Sequence, residues 1–214
     1  MIFFDVHTHK KALLKNVFSI ENKYSDALDF TTPFSIGIHP WFINEDKIKE
    51  ALLSVEEKLQ QEKCVALGEC GLDKFTPTDF ELQQFVFKKQ IGLSENYQKP
   101  LIIHCVKAFQ EVIENKKEVK PKQIWILHGF HQNLQIAESL LKNGFMLSLG
   151  AAIINNKKLQ EVVLEIPLTS ILLETDNAAI EIQAIYQKVA EIRKMEVDEL
   201  QQQIHQNFKN IFKR

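Results

Sequence analysis

The chain of 214 residues is 45% hydrophobic and 25% charged, which is ordinary for a globular protein, and its length favours one domain, residues 1–214. Its formal net charge is −2, whereas proteins that coat long duplexes are usually basic, so any nucleic acid would be held locally. No apolar run approaches the roughly 20 residues that cross a bilayer. The first residues lack the basic start of a signal peptide. We expect a cytoplasmic protein without a membrane or an obligate protein partner.

Short apolar segments rich in β-branched and aromatic residues recur along the chain. They have the composition of strands that are buried on both faces. In chain order the predicted strands are residues 2–6, 16–21, 34–38, 64–69, 101–104, 124–128, 145–149 and 170–174, of which the second is the weakest. The three cysteines form no CxxC pair and predict reduced thiols rather than disulfides.

Amphipathic segments separate most of these strands. Residues 45–61 carry an apolar stripe at helical spacing, and residues 78–97 begin with TDFE, which is a plausible capping box. Further helices are predicted at residues 107–116, 132–143, 156–164 and 181–194, and a last one from Asp198 to about Phe212. This alternation predicts an α/β protein with a parallel sheet and helices outside it.

Eight such strands would close a TIM-like (β/α)8 barrel. The barrel would be trimmed, because the segment between the first two strands is too short for a helix and a typical barrel has about 250 residues. The alternative is an open doubly wound sheet. Against it, no GxGxxG follows the first strand and no GxxxxGK[ST] occurs anywhere.

Histidines and acids stand at or just beyond several predicted strand ends, where a barrel gathers its catalytic groups. In extended backbone, His7 and His9 point to the same face and form a pincer for one metal. Burial of Glu69 would be costly unless a cation balances its charge, and its two oxygens could serve two cations. The complete set of predicted metal ligands is His7, His9, Glu69, His104, His128 and Asp176.

Other polar residues could meet the substrate. His39 is predicted to contact substrate or support a ligand, and Lys107 to meet a phosphate, whereas Lys74 and Lys10 are weaker candidates. Asp5 shares the face of His7 and could support it, while Trp41 and Trp125 are expected in the core. Imidazole and carboxylate ligands suit two divalent ions, with Zn, Mg, Mn, Ni and Fe all possible. Two such cations would reverse the negative charge of the acids and attract a phosphodiester.

Six segments, taken together and in this order, resemble the TatD family of metal-dependent hydrolases. They are DVHTH at 5–9, GIHPWF at 37–42, LGECGLD at 67–73, KPLIIHC at 99–105, LHGF at 127–130 and ETD at 174–176. The resemblance implies a TIM-like barrel and metal-dependent hydrolysis, with 3′–5′ exonuclease activity on DNA or RNA ends or single strands. Its loop after the last strand is shortened here.

The resemblance also implies roles for individual residues. One cation would bind His7, His9, Glu69 and Asp176, and the other would bind Glu69, His104 and His128. Asp176 and Glu69 would be catalytic, with Asp176 as the base toward water, and His39 would contact the phosphate. Departures from the family pattern occur at Trp41, Lys107, Gly129, His131 and Ala178, and they bear on substrate recognition.

Two other functions stay open. A metal-dependent deacylase or esterase could attack a carbonyl bond, for example in aminoacyl-tRNA. A non-catalytic metal-binding scaffold is the third possibility, and the presence of Asp176 argues against it.

Overall fold

Parallel strands form the central sheet of the protein. The computed structural model describes residues 2–11, 15–24 and 26–212. Hydrogen bonds join the strands in chain order, β1 to β8. Their bounds are Phe3–Thr8, Val17–Lys23, Phe34–Ile36, Cys64–Asp73, Leu101–Val106, Trp125–Leu127, Phe145–Leu149 and Ile171–Leu173.

Helices follow the strands from β3 onward. Within the described residues they are α1 Ile48–Leu59, α2 Phe80–Asn96, α3 Phe109–Val119, α4 Leu134–Lys142, α5 Lys157–Glu165, α6 Ile182–Arg193 and α7 Val197–Phe212. One helix follows each of β3 to β7, and two follow β8, which is the order of a (β/α)8 barrel. The predicted fold class is therefore confirmed.

The start of the barrel is trimmed as predicted. Residues 9–11, 15 and 16, between β1 and β2, are not helical, and residues 12–14 lie outside the described part of the chain. The described residues of the next connection, 24 and 26–33, form no helix either. No helix within the described ranges has the length and apolar character needed to span a membrane.

The chain divides into two compact units, and the first comprises residues 1–21 and 128–214. In it, β1 pairs with β2, β7 pairs with β8, and a bridge from Thr8 to Asp176 brings the end of β8 beside β1. Helices α6 and α7 pack on β1. The ring of Phe4 lies 4.4 Å from that of Phe208, which fastens α7 to this strand.

The second unit comprises residues 22–127 and contains β3 to β6. Helix α2 packs on β4, and its Gln90 side chain hydrogen-bonds both the amide and the carbonyl of Ile38, at 2.7 and 3.0 Å. The register of β4 against β5 shifts between Leu67 and Cys70. Beyond this irregularity β4 continues to Asp73, four residues further than predicted. The single domain over residues 1–214 stays a prediction.

Two glycines test the close approach of β4 to β5. Gly71 has φ +143°, and a Cβ there would lie 2.0 Å from the carbonyl oxygen of His104, whereas a Cβ at Gly92 in α2 meets open space. We expect Gly71→Ala to lower the free energy of unfolding by more than about 3 kcal/mol. Gly92→Ala should raise it by about 0.5–1 kcal/mol. Urea unfolding measures both, and equal effects would contradict this account of β4.

A single hydroxyl fastens α6 to β1. Tyr186 Oη accepts from the amide of Phe4 at 3.1 Å and donates to the carbonyl of Phe4 at 3.2 Å. Tyr186→Phe keeps the ring but removes these bonds, so it should cost about 1–3 kcal/mol. The matched control is Tyr97→Phe, whose hydroxyl donates to Glu56. The control should cost less than about 1 kcal/mol in the same denaturation experiment, since water can solvate both groups.

Candidate metal-binding clusters

The first cluster lies in the first unit and comprises His7, His9, His128 and Asp176. Asp176 has φ +52°, a left-handed conformation that aspartate tolerates better than most residues. Its amide donates to the carbonyl of His7 at 2.9 Å, and its carbonyl accepts from the amide of His9 at 3.2 Å. These backbone bonds orient the Asp176 side chain toward both imidazoles.

The spacing of these side chains suits a cation. Asp176 Oδ1 lies 3.7 Å from His7 Nε2 and 3.4 Å from His9 Nε2. Ligand atoms of a tetrahedral zinc ion lie roughly 3.4 Å apart, because each bond is about 2.1 Å long. The ring of His128 lies 4.3 Å from that of His7. The structure therefore brings four of the six predicted ligands together within this unit.

Glu174 is a buried acid beside a predicted ligand, His128, and it was not among the predicted site residues. It follows β8 and is fully buried; its Oε1 accepts from the amide of Gly129 at 2.6 Å and lies 3.4 Å from His128 Nδ1. Burial raises the pKa of Glu174, but the hydrogen bond and charge of His128, together with His7, hold it below its ordinary value. Glu174 thus orients His128. The signal was present as the first acid of the ETD segment.

Asp5 supports this cluster through the β8–α6 loop. Its carboxylate accepts from the amide of Thr175 at 2.9 Å and from the Thr175 hydroxyl at 2.6 Å. Burial raises the pKa of Asp5 to about 7, although the Thr175 hydrogen bonds act in the opposite direction. Because Thr175 directly precedes Asp176, Asp5 anchors the segment that carries a predicted ligand.

The second cluster lies in the second unit and comprises His39, Glu69 and His104. Glu69 Oε1 lies 3.2 Å from His39 Nε2 and 3.0 Å from His104 Nδ1. The amide of Glu69 donates to the side chain of Asn22 at 2.8 Å, which fixes the backbone at the irregular point of β4. His39, predicted as a substrate contact, therefore lies beside a predicted ligand.

The hydrogen-bond partners of His39 determine where its proton resides. Its Nδ1 accepts from the amide of Trp41 at 3.1 Å and caps the 3-10 turn Pro40–Phe42. A ring nitrogen that accepts a hydrogen bond carries no proton, so the proton is on Nε2. Nε2 then donates to Glu69 Oε1. In this tautomer His39 Nε2 is a hydrogen-bond donor, and the same three residues, His39, Glu69 and His104, also place potential ligand atoms within 4.8 Å of one another.

The ring of His104, unlike that of His39, has a carboxylate oxygen beside each of its nitrogens. Its Nε2 lies 2.9 Å from Asp73 Oδ2, and an ionised aspartate can only accept hydrogen bonds. Burial raises the pKa of Asp73, but hydrogen bonds from Trp41 and His104 hold it below its ordinary value. When Nε2 donates to Asp73, Nδ1 presents a lone pair to Glu69 Oε1. Either a proton or a metal ion between these two atoms, which lie 3.0 Å apart, would remove their repulsion, and an imidazole beside a carboxylate is a donor set that suits the expected metal.

Asp73 and Trp41 are also contacts that the sequence analysis did not assign. Trp41 Nε1 donates to Asp73 Oδ2 at 2.6 Å. The expectation that Trp41 lies in the core is wrong, since 51% of the residue is exposed, whereas Trp125 is buried as predicted. Trp41 is the second residue of the turn that His39 caps, and this turn places its ring at the surface.

The predicted substrate lysines lie in different surroundings. Lys74 forms an ion pair with Glu111 and lies 5.3 Å from the centre of the Phe80 ring. Lys107 is exposed, with φ +56°. Lys10 donates to the carbonyl of Ala178 at 2.9 Å. Their roles toward a phosphate stay predictions.

Comparison with known proteins shows the family. The family model described as TatD related DNase matches residues 3–213. The chain belongs to the TatD family. It is 31% identical over 196 residues to the uncharacterized metal-dependent hydrolase YabD of Bacillus subtilis, a match that covers 84% of this chain and 76% of YabD. This TatD protein is thus a member of a family of metal-dependent hydrolases.

Other relatives of this TatD protein agree. An uncharacterized metal-dependent hydrolase of Buchnera aphidicola subsp. Baizongia pistaciae is 37% identical over 147 residues, covering 67% of this chain but only 55% of that protein. The chain therefore spans about half the length of this relative. The crystal structure of the TatD homologue YjjV from Escherichia coli superposes with a TM-score of 0.84 at 22% identity, covering 99% of this chain and 98% of that one. This likeness shows the barrel fold.

Glu174 offers a test of the first cluster. Glu174→Leu removes the acceptor of the Gly129 amide and the carboxylate beside His128, so it should cost roughly 3–5 kcal/mol. Glu174→Gln keeps an oxygen for the Gly129 amide, so it should cost about 1–2 kcal/mol. Denaturant unfolding with a chelator present, to remove any metal contribution, gives both values. Equal stability of the two variants would show that the hydrogen bond from Gly129 to Glu174 does not contribute to stability.

Proposed function

We propose that this TatD protein is a nuclease, which hydrolyses phosphodiester bonds at the ends or single strands of DNA or RNA with two divalent cations. The observation that supports the metal requirement is the position of Asp176 Oδ1, 3.7 Å from His7 Nε2 and 3.4 Å from His9 Nε2, which is close to the donor spacing around a bound cation. The nuclease assignment is supported by the family description, TatD related DNase. A relative from Vairimorpha ceranae, 29% identical over 160 residues, is named putative deoxyribonuclease TATDN1 homolog.

Each cluster supplies donors for one cation. His7, His9 and Asp176 would hold the first, and Glu69 and His104 would hold the second. Zn, Mn, Ni, Fe and Mg remain the candidates, because imidazole and carboxylate donors accept all of them to different degrees. The sharing of Glu69 by both cations, and the binding of His128 to the second, stay predictions. When bound, such cations neutralise phosphate charge and make water more acidic.

The protein's own groups would orient and move the protons. The Asp176 side chain is 41% exposed, so a water molecule can approach it, and its backbone bonds hold the carboxylate in place. Asp176 would accept the proton of the attacking water. His39 Nε2 faces Glu69 Oε1 at 3.2 Å, and if a cation took its place at that oxygen, the Nε2–H would donate to a phosphate oxygen instead. Its capped turn fixes the direction of that donor.

The test is hydrolysis of single-stranded oligonucleotides labelled at the 3′ or the 5′ end, with each candidate metal added to chelator-treated protein. We expect Glu69→Ala and Asp176→Ala to lower turnover roughly 1,000-fold or more, since metal-assisted attack depends on both carboxylates. The matched control is Glu118→Gln, an exposed carboxylate paired with Lys88 at 3.0 Å, which should keep wild-type turnover.

The same assay, extended to aminoacyl and small acyl esters and combined with a metal-binding titration, separates the alternatives. Wild-type turnover by both alanine variants, with metal present, would contradict the proposed mechanism. Efficient cleavage of aminoacyl or small acyl esters, with intact oligonucleotides, would favour the deacylase. Metal binding without turnover of either substrate class would favour the scaffold.

A further inference from the structure

Asp73 contacts three other side chains of the second unit, those of Trp41, His104 and Gln83, and the backbone of Phe75. Its Oδ2 accepts from Trp41 Nε1 at 2.6 Å and lies 2.9 Å from His104 Nε2. Its Oδ1 accepts from the amide of Phe75 at 2.8 Å. The Asp73 amide in turn donates to Gln83 Oε1 at 2.8 Å, which ties β4 to α2. Hydrogen bonds therefore hold both carboxylate oxygens of Asp73 and also its backbone amide.

The hydrogen bond between Trp41 and Asp73 can have only one direction. An indole nitrogen can donate a hydrogen bond but cannot accept one, so Asp73 Oδ2 must be the acceptor. Asp73 is 3% exposed, so water has little access to compete for the same oxygen. Half of Trp41 is in solvent, and the indole N–H is the group by which its ring is tied to the second cluster.

His104 receives its orientation from this carboxylate. When Asp73 accepts from His104 at Oδ2, the proton of a neutral ring is on Nε2 and the lone pair is on Nδ1. That lone pair lies on the side of Glu69 Oε1. The opposite tautomer would place a proton between His104 and Glu69 and two acceptors between His104 and Asp73.

We propose that Asp73, oriented by Trp41, is a positioning residue that makes His104 bind its cation through Nδ1. The proposal rests on the proposed metal-dependent function. A hydrogen bond from the distal ring nitrogen to a carboxylate fixes the tautomer of a ligating histidine and increases its basicity, and loss of such a partner typically lowers metal affinity about 10–100-fold. The proposal assigns a role to Trp41, which departs from the family pattern, and to Asp73.

The first measurement is made on metal-free protein labelled with ¹⁵N at histidine. Long-range ¹H–¹⁵N correlation reports which ring nitrogen of each histidine carries the proton, and His104→Gln identifies the His104 signals among the seven histidines. We expect the Nε2–H form at His104 in the wild type. In Asp73→Ala this preference should be lost, and Asp73→Asn, whose amide oxygen can still accept, should retain it.

The second measurement is the affinity for Co²⁺, followed by its visible absorption in competition with a chelator. We expect Asp73→Ala to lower the affinity about 10–100-fold, with smaller losses in Asp73→Asn and Trp41→Phe. The control is Glu95→Gln, whose carboxylate instead accepts from the amides of Lys122 and Gln123, at 3.0 Å each. The control should leave the Co²⁺ affinity unchanged. Thermal melting establishes that each variant is folded.

The outcomes separate the two proposals. If the wild type binds no Co²⁺, the proposed metal-dependent function fails. If it binds Co²⁺ and the folded Asp73 variants bind it equally well, only the role of Asp73 is overturned. A wild-type His104 with its proton on Nδ1 overturns that role regardless of metal binding. Should Asp73→Ala fail to fold, the Asp73→Asn and Trp41→Phe variants decide the question.

Discussion

Buried carboxylates at the strand ends impose the constraint on which the rest of this molecule depends. Asp5, Glu69, Asp73 and Glu174 are each at most 5% exposed. An acid removed from water is costly unless donors or charges compensate it. Each of these acids therefore determines what stands next to it, and the neighbours include several of the histidines that could hold metal.

The two units meet this constraint differently. In the first, Thr175 and the Gly129 amide satisfy the acids behind the histidines, so Asp5 and Glu174 act as supports. In the second, Glu69 faces two imidazoles directly. The first arrangement holds loops in place, whereas the second places one carboxylate oxygen, Glu69 Oε1, between two imidazoles. Glu69 is therefore the acid around which the histidines of the second cluster are arranged.

The strand positions could be predicted because strands that are buried on both faces consist of consecutive apolar residues. The six ligands were proposed for the same reason, since a histidine or acid that closes such a run stands out, and as ligands they stay predictions. The end of β4 could not be predicted. The apolar run predicted a strand that ends at Glu69, whereas β4 continues to Asp73 with a register shift against β5 between Leu67 and Cys70, which no local pattern reveals.

Contacts that depend on turn geometry also could not be predicted from the sequence. The apolar character of Trp41 suggested the core, but the histidine cap at His39 places it on the surface with its N–H directed at Asp73. Glu174 was visible as part of a motif, yet its partner Gly129 lies 45 residues away, and no local pattern encodes that contact. The six ligands as a set, the number of metals, their identity, the substrate and the cytoplasmic location stay predictions.

The position of Trp41 has a practical consequence. Of the two tryptophans, Trp125 is fully buried and Trp41 is half in solvent, so their fluorescence should differ in colour and in access to quenchers. Trp41 touches the carboxylate that contacts His104, whereas the other indole lies in the core. The chain thus carries an intrinsic optical reporter at the edge of the second cluster, and no dye needs to be attached to follow events there.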